Sequence, residues 1–135
     1  MPETSGVGDA GVITKSSARS VADTVARLVA LLDAKGLKVF DVIDQRAEAQ
    51  AVGLDLRATT LVMFGNPAAG TPVMTAAPLS ALDLPLKLLV WADDERGTQV
   101  SYTDPAVLAE RHGLAPALAA AFEGIHALSD ALVAE

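Results

Sequence analysis

Two short strand-like runs joined by a polar turn limit the fold more than any other feature of this sequence. Residues 86–92 and 98–102 are rich in apolar and β-branched side chains, and the polar residues between them end in Gly97. This pattern predicts a β-hairpin. Because the two strands of a hairpin run in opposite directions, we expect a sheet that is at least partly antiparallel.

A helix with clear start and end signals is predicted over residues 20–35. Ser20 is a favourable N-cap, and Asp23 lies near the positive end of the helix dipole. Gly36 follows as the left-handed residue that ends many helices. Apolar residues recur between these signals at helical spacing, namely Val21, Val25, Leu28, Val29 and Leu32.

The remaining patterns predict strands and helices in alternation. Strands are expected at residues 12–17, 37–43 and 59–64, and helices at 46–52, 72–77, 105–112 and from 116 to the C-terminal region. Apolar residues at both parities of 37–43 predict a strand covered on two faces. We therefore expect one α+β domain over residues 12–135, after a disordered lead-in over residues 1–11.

Composition excludes several classes of function. The 135 residues are 51% apolar, contain no cysteine and carry a net charge of −7. Disulfides, thiolate metal sites and cysteine nucleophiles are thereby excluded. The ten Lys and Arg are scattered singly, which disfavours nucleic acid and anionic membranes as partners. Residues 1–10 lack the features of a signal peptide, so we expect a soluble, cytoplasmic protein.

The segment after the third strand has the spacing of a phosphate-binding loop but not its chemistry. Gly65 and Gly70-Thr71 are five residues apart, yet no lysine follows the second glycine, and Pro67 and Pro72 each remove a backbone donor. We interpret the segment as a rigid corner. Such a corner at the end of a strand can line a pocket for a small ligand.

Ionisable side chains form several patterns that are typical of structural roles. Glu123, His126 and Asp130 share one helical face, but a bridged metal site needs a second such motif, so we expect a solvated face and no metal. His112 suits a helix end, with general-base catalysis as the alternative. Asp44 is expected to cap the next helix.

Three side chains on or beside the predicted sheet are candidates for ligand contact. Lys87 lies on the strand face of Trp91, and Tyr102 ends the partner strand, so a cation and aromatic rings could hold an anionic or planar ligand. The alternative is that Trp91 and Tyr102 simply cover the sheet. Asp41 lies in a mostly apolar strand and could face a pocket.

Several motifs together resemble the domain of unknown function 302 family over about residues 12–130. They are Phe-Gly-Asn-Pro at 64–67 within the run 56–67, Gly-Thr-Pro-Val-Met at 70–74, Leu-Asp-Leu-Pro-Leu-Lys at 82–87, Ser-Tyr at 101–102 and Arg-His-Gly-Leu at 111–114. The resemblance implies a curved, mainly antiparallel sheet with helices packed on it, similar to the TBP-like arrangement, and a homodimer. Gln45 and Ala58 depart from the family pattern, which often has His and Pro at these positions.

These observations leave three functional hypotheses. The first is a homodimeric module that binds a small ligand through a site without catalytic residues or cofactors. Its candidate residues are Asp41, Gly65, Asn66, Pro67, Thr71, Met74, Lys87 and Tyr102. The second is a self-association or regulatory module in which the Ala-rich segment 115–134 packs on a partner. The third is an acid/base enzyme that uses Asp41, Asp44 or His112.

Overall fold

A five-stranded antiparallel sheet forms the centre of the domain. The computed structural model describes residues 9–135, so most of the predicted lead-in lies outside the described residues. The strands are β1 (Val12–Ser16), β2 (Lys38–Asp44), β3 (Thr59–Gly65), β4 (Leu86–Asp93) and β5 (Gly97–Thr103). Their order in the sheet is β1-β5-β4-β3-β2, and every neighbouring pair is antiparallel. The predicted α+β class is therefore confirmed.

Six α-helices and three 3₁₀ turns complete the described chain. The helices are α1 (Val21–Ala34), α2 (Gln45–Ala51), α3 (Pro67–Ala76), α4 (Pro105–Arg111), α5 (Pro116–Ala119) and α6 (Gly124–Val133). The 3₁₀ turns are Asp9–Gly11, Pro78–Leu82 and Ala120–Phe122. The expected helix after residue 116 is thus divided into α5, a 3₁₀ turn and α6.

The hydrophobic core lies between one face of the sheet and the helices α1 and α6. Alternate residues of the central strands point into it, and Val62, Leu88 and Val100 are fully buried. Leu28 and Leu32 of α1 fill the other side of this core. α6 adds the buried residues Ile125, Leu128, Ser129 and Leu132.

The predicted signals of α1 are confirmed. The backbone N–H of Asp23 donates to the Ser20 hydroxyl at 3.1 Å, and Gly36 has a φ of 71°. The guanidinium of Arg27 donates to the carbonyl oxygens of Ala131 and Leu132 near the end of α6. These bonds join the two core helices and satisfy carbonyls that a helix end leaves unpaired.

The prediction of a doubly covered second strand was wrong. β2 forms an edge of the sheet, where Phe40 is 44% and Val42 is 42% exposed. The register shifts between Val39 and Asp41, which indicates a β-bulge at Phe40. The bulge disturbs the in-and-out alternation of the strand, and the mixed parity of its apolar residues reflects this irregularity.

Candidate functional site

A cavity of about 480 Å³ lies at one end of the sheet, on the face covered by the helices. Four chain segments far apart in sequence form its wall. They are the end of α1 with the start of β2, the end of β3 with α3, the start of β4, and the 3₁₀ turn Ala120–Phe122 with α6. The volume falls within the range of roughly 300–1,000 Å³ that is typical of small-molecule sites.

The floor of the cavity is apolar and buried, whereas its rim is exposed. Phe64, Phe122 and Leu128 at the floor are each at most 3% exposed. Phe40 at the rim is the residue displaced by the β-bulge. Of the 19 residues that line the cavity, only Lys35 and Asn66 have polar side chains. An apolar ligand would therefore be desolvated at the floor, with polar contacts confined to the rim.

The helix α3 forms one wall and begins earlier than the sequence predicted. Asn66 accepts a hydrogen bond from the Ala68 N–H at 2.9 Å, and Pro67 occupies the first helical position. The helix therefore starts at Asn66-Pro67, whereas the sequence predicted a start at Pro72, which lies inside the helix. The N–H groups of Ala69 and Gly70 both donate to the carbonyl of Asn66.

This hydrogen bonding explains why the segment is not a phosphate loop. Pro67 has no N–H group, and those of Ala68, Ala69 and Gly70 are all bonded to Asn66. A phosphate cradle needs several free backbone N–H groups that point at one anion. The segment instead forms a capped helix that supports the cavity wall.

A second wall is anchored by an ionic cluster at Asp83. Its carboxylate lies 2.6 Å from Nε2 of His112 and 3.0 Å from Nη1 of Arg111. Partial burial acts to raise the pKa of Asp83, but the hydrogen bonds from His112 and Arg111 outweigh it and hold that pKa below its ordinary value. The cluster joins α4 to the segment Leu84, Pro85 and Leu86, all of which line the cavity.

The structure places half of the predicted ligand residues in this wall. Gly65, Asn66, Pro67 and Met74 all line the cavity. Thr71 is exposed on α3, and its carbonyl accepts a hydrogen bond from the Thr75 hydroxyl.

The other predicted residues lie away from the cavity. Asp41 is exposed and accepts a hydrogen bond from the N–H of Val42. Lys87 pairs with Met63 across the sheet, and its ammonium donates to the carbonyl of Pro85. Tyr102 lies on the opposite face of the sheet from Lys87, where it is 3% exposed within the core.

Tyr102 belongs to a partly buried polar network that sequence reasoning missed. Its hydroxyl lies 2.9 Å from Nδ1 of His126 and accepts a hydrogen bond from Ser129 at 3.2 Å. The ammonium of Lys15 donates to Ser129 at 2.6 Å and to Asp130 at 2.7 Å. The predicted solvated face of α6 is therefore partly internal. The available signal was the alternation along β1, which places Lys15 on the same face as the apolar Ile13, the residue that pairs with Tyr102.

The acid/base candidates do not converge on one point. Asp44 caps α2 through the N–H of Ala47, as predicted. His112 is bound to Asp83, and Asp41 to its own backbone neighbour. Within residues 9–135, no group of three or more His, Cys, Asp or Glu side chains is placed to hold a metal ion.

Comparison with known proteins gives the family of the chain. The family model described as "Domain of unknown function DUF302" matches residues 13–132. The chain belongs to the DUF302 family. A crystal structure of an uncharacterized conserved DUF302 protein from Bacillus stearothermophilus has a TM-score of 0.76, covering 92% of this chain and 96% of that one. At 22% sequence identity, this likeness confirms the fold of the DUF302 domain.

Curated relatives share a higher sequence identity but are longer proteins. Two fluoride-specific ion channels, FluC 1 of Brucella suis and FluC 1 of Brucella abortus, are each 39% identical over 113 residues, or 84% of this chain. The DUF302 chain spans less than half of their length, 44% and 42% respectively.

The helices of the described residues are short. The longest helix of residues 9–135 is α1 with 14 residues, and none of the described helices is long and apolar enough to cross a membrane.

Proposed function

We propose that this DUF302 domain is a homodimeric module that binds a small, largely apolar ligand in the cavity between the sheet, α3 and α6. The observation that supports the ligand site is a volume of about 480 Å³ with a buried apolar floor. Burying apolar ligand surface against such a floor stabilises a complex by about 25 cal/mol per Å² before the cost of association is subtracted.

The walls of the cavity are held by local contacts, which favours a preformed site. α3 is held by its Asn66 cap, and the segment 84–86 is held by the ionic cluster at Asp83. The floor residues Ile125 and Leu128 belong to the main hydrophobic core. Preorganised walls reduce the entropy that binding would otherwise cost.

The ligand site is tested by filling the cavity from its exposed side. Ala121 lines the cavity and is exposed, whereas its neighbour Ala120 is exposed but does not line it. We expect Ala121→Phe to weaken binding of an apolar fluorescent probe at least tenfold, and Ala120→Phe to leave it unchanged. Equal probe affinity in both variants, measured by titration of probe fluorescence, would contradict the ligand site.

The name of the Brucella relatives raises fluoride as an alternative ligand. Fluoride is strongly hydrated, and binding it requires several convergent donors to replace its water shell. The cavity wall has only the side chains of Lys35 and Asn66 as polar groups. We therefore expect sodium fluoride and sodium chloride at equal ionic strength to give the same melting temperature. A stabilisation specific to fluoride would favour the alternative.

The homodimer is supported by where the exposed apolar side chains lie. Seven large hydrophobic residues of the described chain are exposed, and five of them belong to β2 and the segment after α2. These five are Phe40, Val42, Val52, Leu54 and Leu56. β2 is also an edge strand, whose free backbone groups can pair with another strand. A second copy of the chain would cover this surface.

The dimer surface is tested by placing a charge on it. We expect Val42→Lys to shift the sedimentation coefficient from that of a dimer to that of a monomer. Leu79→Lys is the matched control, because Leu79 is 72% exposed but lies in the 3₁₀ turn Pro78–Leu82. A monomeric wild-type chain, or dissociation by the control alone, would refute this surface.

A further inference from the structure

The polar groups at the cavity rim specify the chemistry of the ligand, provided that the cavity is a binding site as proposed above. Asn66 uses its side-chain oxygen to cap α3, since Oδ1 accepts from the Ala68 N–H. Its amide nitrogen, which has two N–H donors, has no hydrogen-bond partner among residues 9–135. The second polar side chain of the rim is Lys35, which is exposed.

Lys35 differs from most basic residues of the described chain. Lys15, Arg57 and Arg111 each form an ion pair with an aspartate. Other basic side chains are bonded to backbone carbonyls, as in Arg19, Arg27 and Lys87. Within residues 9–135, the ammonium of Lys35 has neither kind of partner.

A second ammonium lies close to the same rim. Nζ of Lys38 is 5.1 Å from the ring centroid of Phe40, and that ring lines the cavity. Within the part of the chain that the structure describes, Lys38 also has no carboxylate partner. Two uncompensated cations thus flank one opening in a chain of net charge −7, which favours an anionic group at this position.

We infer that the cavity binds a molecule with an apolar body and a single carboxylate, such as a medium-chain fatty acid. The body lies on the buried floor, and the carboxylate lies at the rim, where Lys35 and Asn66 supply the polar side chains. A carboxylate has two oxygens, which matches these two sources of donors. A phosphate has more oxygens to satisfy, and the backbone N–H groups of residues 68–70 are already bonded.

The inference is tested by calorimetric titration of the full chain with two matched series. One series is hexanoate, octanoate and decanoate, and the other is the primary alcohols of the same lengths. We expect affinity in both series to rise about fourfold per methylene until the cavity is full. We expect each carboxylate to bind about fivefold more tightly than its alcohol, and this difference to decrease as salt is added.

A substitution of Lys35 tests which group recognises the anion. We expect Lys35→Gln to lower the affinity for octanoate about fivefold and to leave the affinity for octanol unchanged. Arg46→Gln is the control for net charge, since Arg46 is exposed on α2 and does not line the cavity. Both substitutions are at exposed positions, so the fold is retained.

The outcomes separate this inference from the proposed function. Equal binding of octanol and octanoate, or no effect of Lys35→Gln on octanoate binding, would overturn the inference that the ligand carries a carboxylate. The proposal that the cavity is a ligand site would not be affected by either result. Tighter binding of octyl phosphate than of octanoate would also overturn it. Failure of every compound to bind, together with no effect of Ala121→Phe on the apolar probe, would refute the proposed function itself.

Discussion

Asp83 is the residue whose contacts most directly support the cavity. It is the carboxylate of the Leu-Asp-Leu-Pro motif, and its two partners, Arg111 and His112, belong to the Arg-His-Gly-Leu motif. The structure therefore joins two sequence motifs by one ionic cluster. Because Leu84 and Pro85 follow Asp83 directly and line the cavity, this cluster positions a wall.

Replacing Asp83 by Asn is expected to destabilise the domain by about 1–2 kcal/mol at pH 7. The lowered pKa of Asp83 means that its ionised form stabilises the fold above the unfolded pKa of about 4. That contribution is lost as the pH falls through the folded pKa. The difference between wild type and variant in urea unfolding should therefore shrink below pH 4. Asp55→Asn, at an exposed position, is the control; an equal loss in both variants would contradict the role of Asp83.

Tyr102 gives a second prediction for a single residue. The sequence suggested that Tyr102 contacts a ligand, whereas the structure places it in a hydrogen-bond network at the core. Tyr102→Phe removes the hydroxyl that contacts His126 and Ser129. We expect the free energy of unfolding to fall by about 1–2 kcal/mol, because the buried Ser129 hydroxyl and the partly exposed His126 ring each lose a partner. Affinity for the apolar probe should stay unchanged, since Tyr102 does not line the cavity. A variant with full stability but weaker probe binding would restore the original interpretation.

Among the elements, α3 shows how a short helix can be fixed by its first residues. Asn66→Ala removes the hydrogen bond to the Ala68 N–H, and we expect this to cost about 1 kcal/mol of stability. Asn66→Asp keeps an acceptor at the cap and should retain the wild-type melting temperature. Thermal unfolding of the two variants checks this, and equal destabilisation by both would show that capping is not the role of Asn66.

Local signals predicted most elements, and the exceptions have physical causes. Ser20 and Gly36 act on neighbouring backbone, so the ends of α1 could be read from the sequence. α3 offered two equivalent starts, Asn66-Pro67 and Thr71-Pro72, and no local rule chooses between them. The bulge at Phe40 depends on pairing with β3, which a single segment does not encode.

The cavity could be predicted only in part, because segments that are far apart in the sequence form its wall. Gly65, Asn66, Pro67 and Met74 were identified because they form one continuous corner. Lys35, Phe40 and the residues of α6 join them only through tertiary packing. Tyr102 and Lys87 were grouped because they lie on the two paired strands of the predicted hairpin, but the register of β4 and β5 places them on opposite faces of the sheet.

At the scale of the whole molecule, α6 belongs to the hydrophobic core. One hypothesis from the sequence is that the Ala-rich segment 115–134 packs on a partner. α6 instead buries Ile125, Leu128 and Leu132 against the sheet and α1. Its last carbonyls also accept hydrogen bonds from Arg19 and Arg27. A deletion there would therefore remove part of the fold itself.

Two truncations of apolar side chains, one in α6 and one in the segment after α2, distinguish a core role from a surface role. Leu132 is fully buried, and we expect Leu132→Ala to reduce the free energy of unfolding by about 2–5 kcal/mol, since a cavity is left in packed surroundings. Val52 is 72% exposed, so Val52→Ala should change the stability of the folded chain by less than about 0.5 kcal/mol. Urea unfolding of both variants at a concentration where the chain is monomeric measures the two values. If Leu132→Ala has no effect on unfolding but alters sedimentation, then α6 is a partner surface and the core assigned to it is wrong.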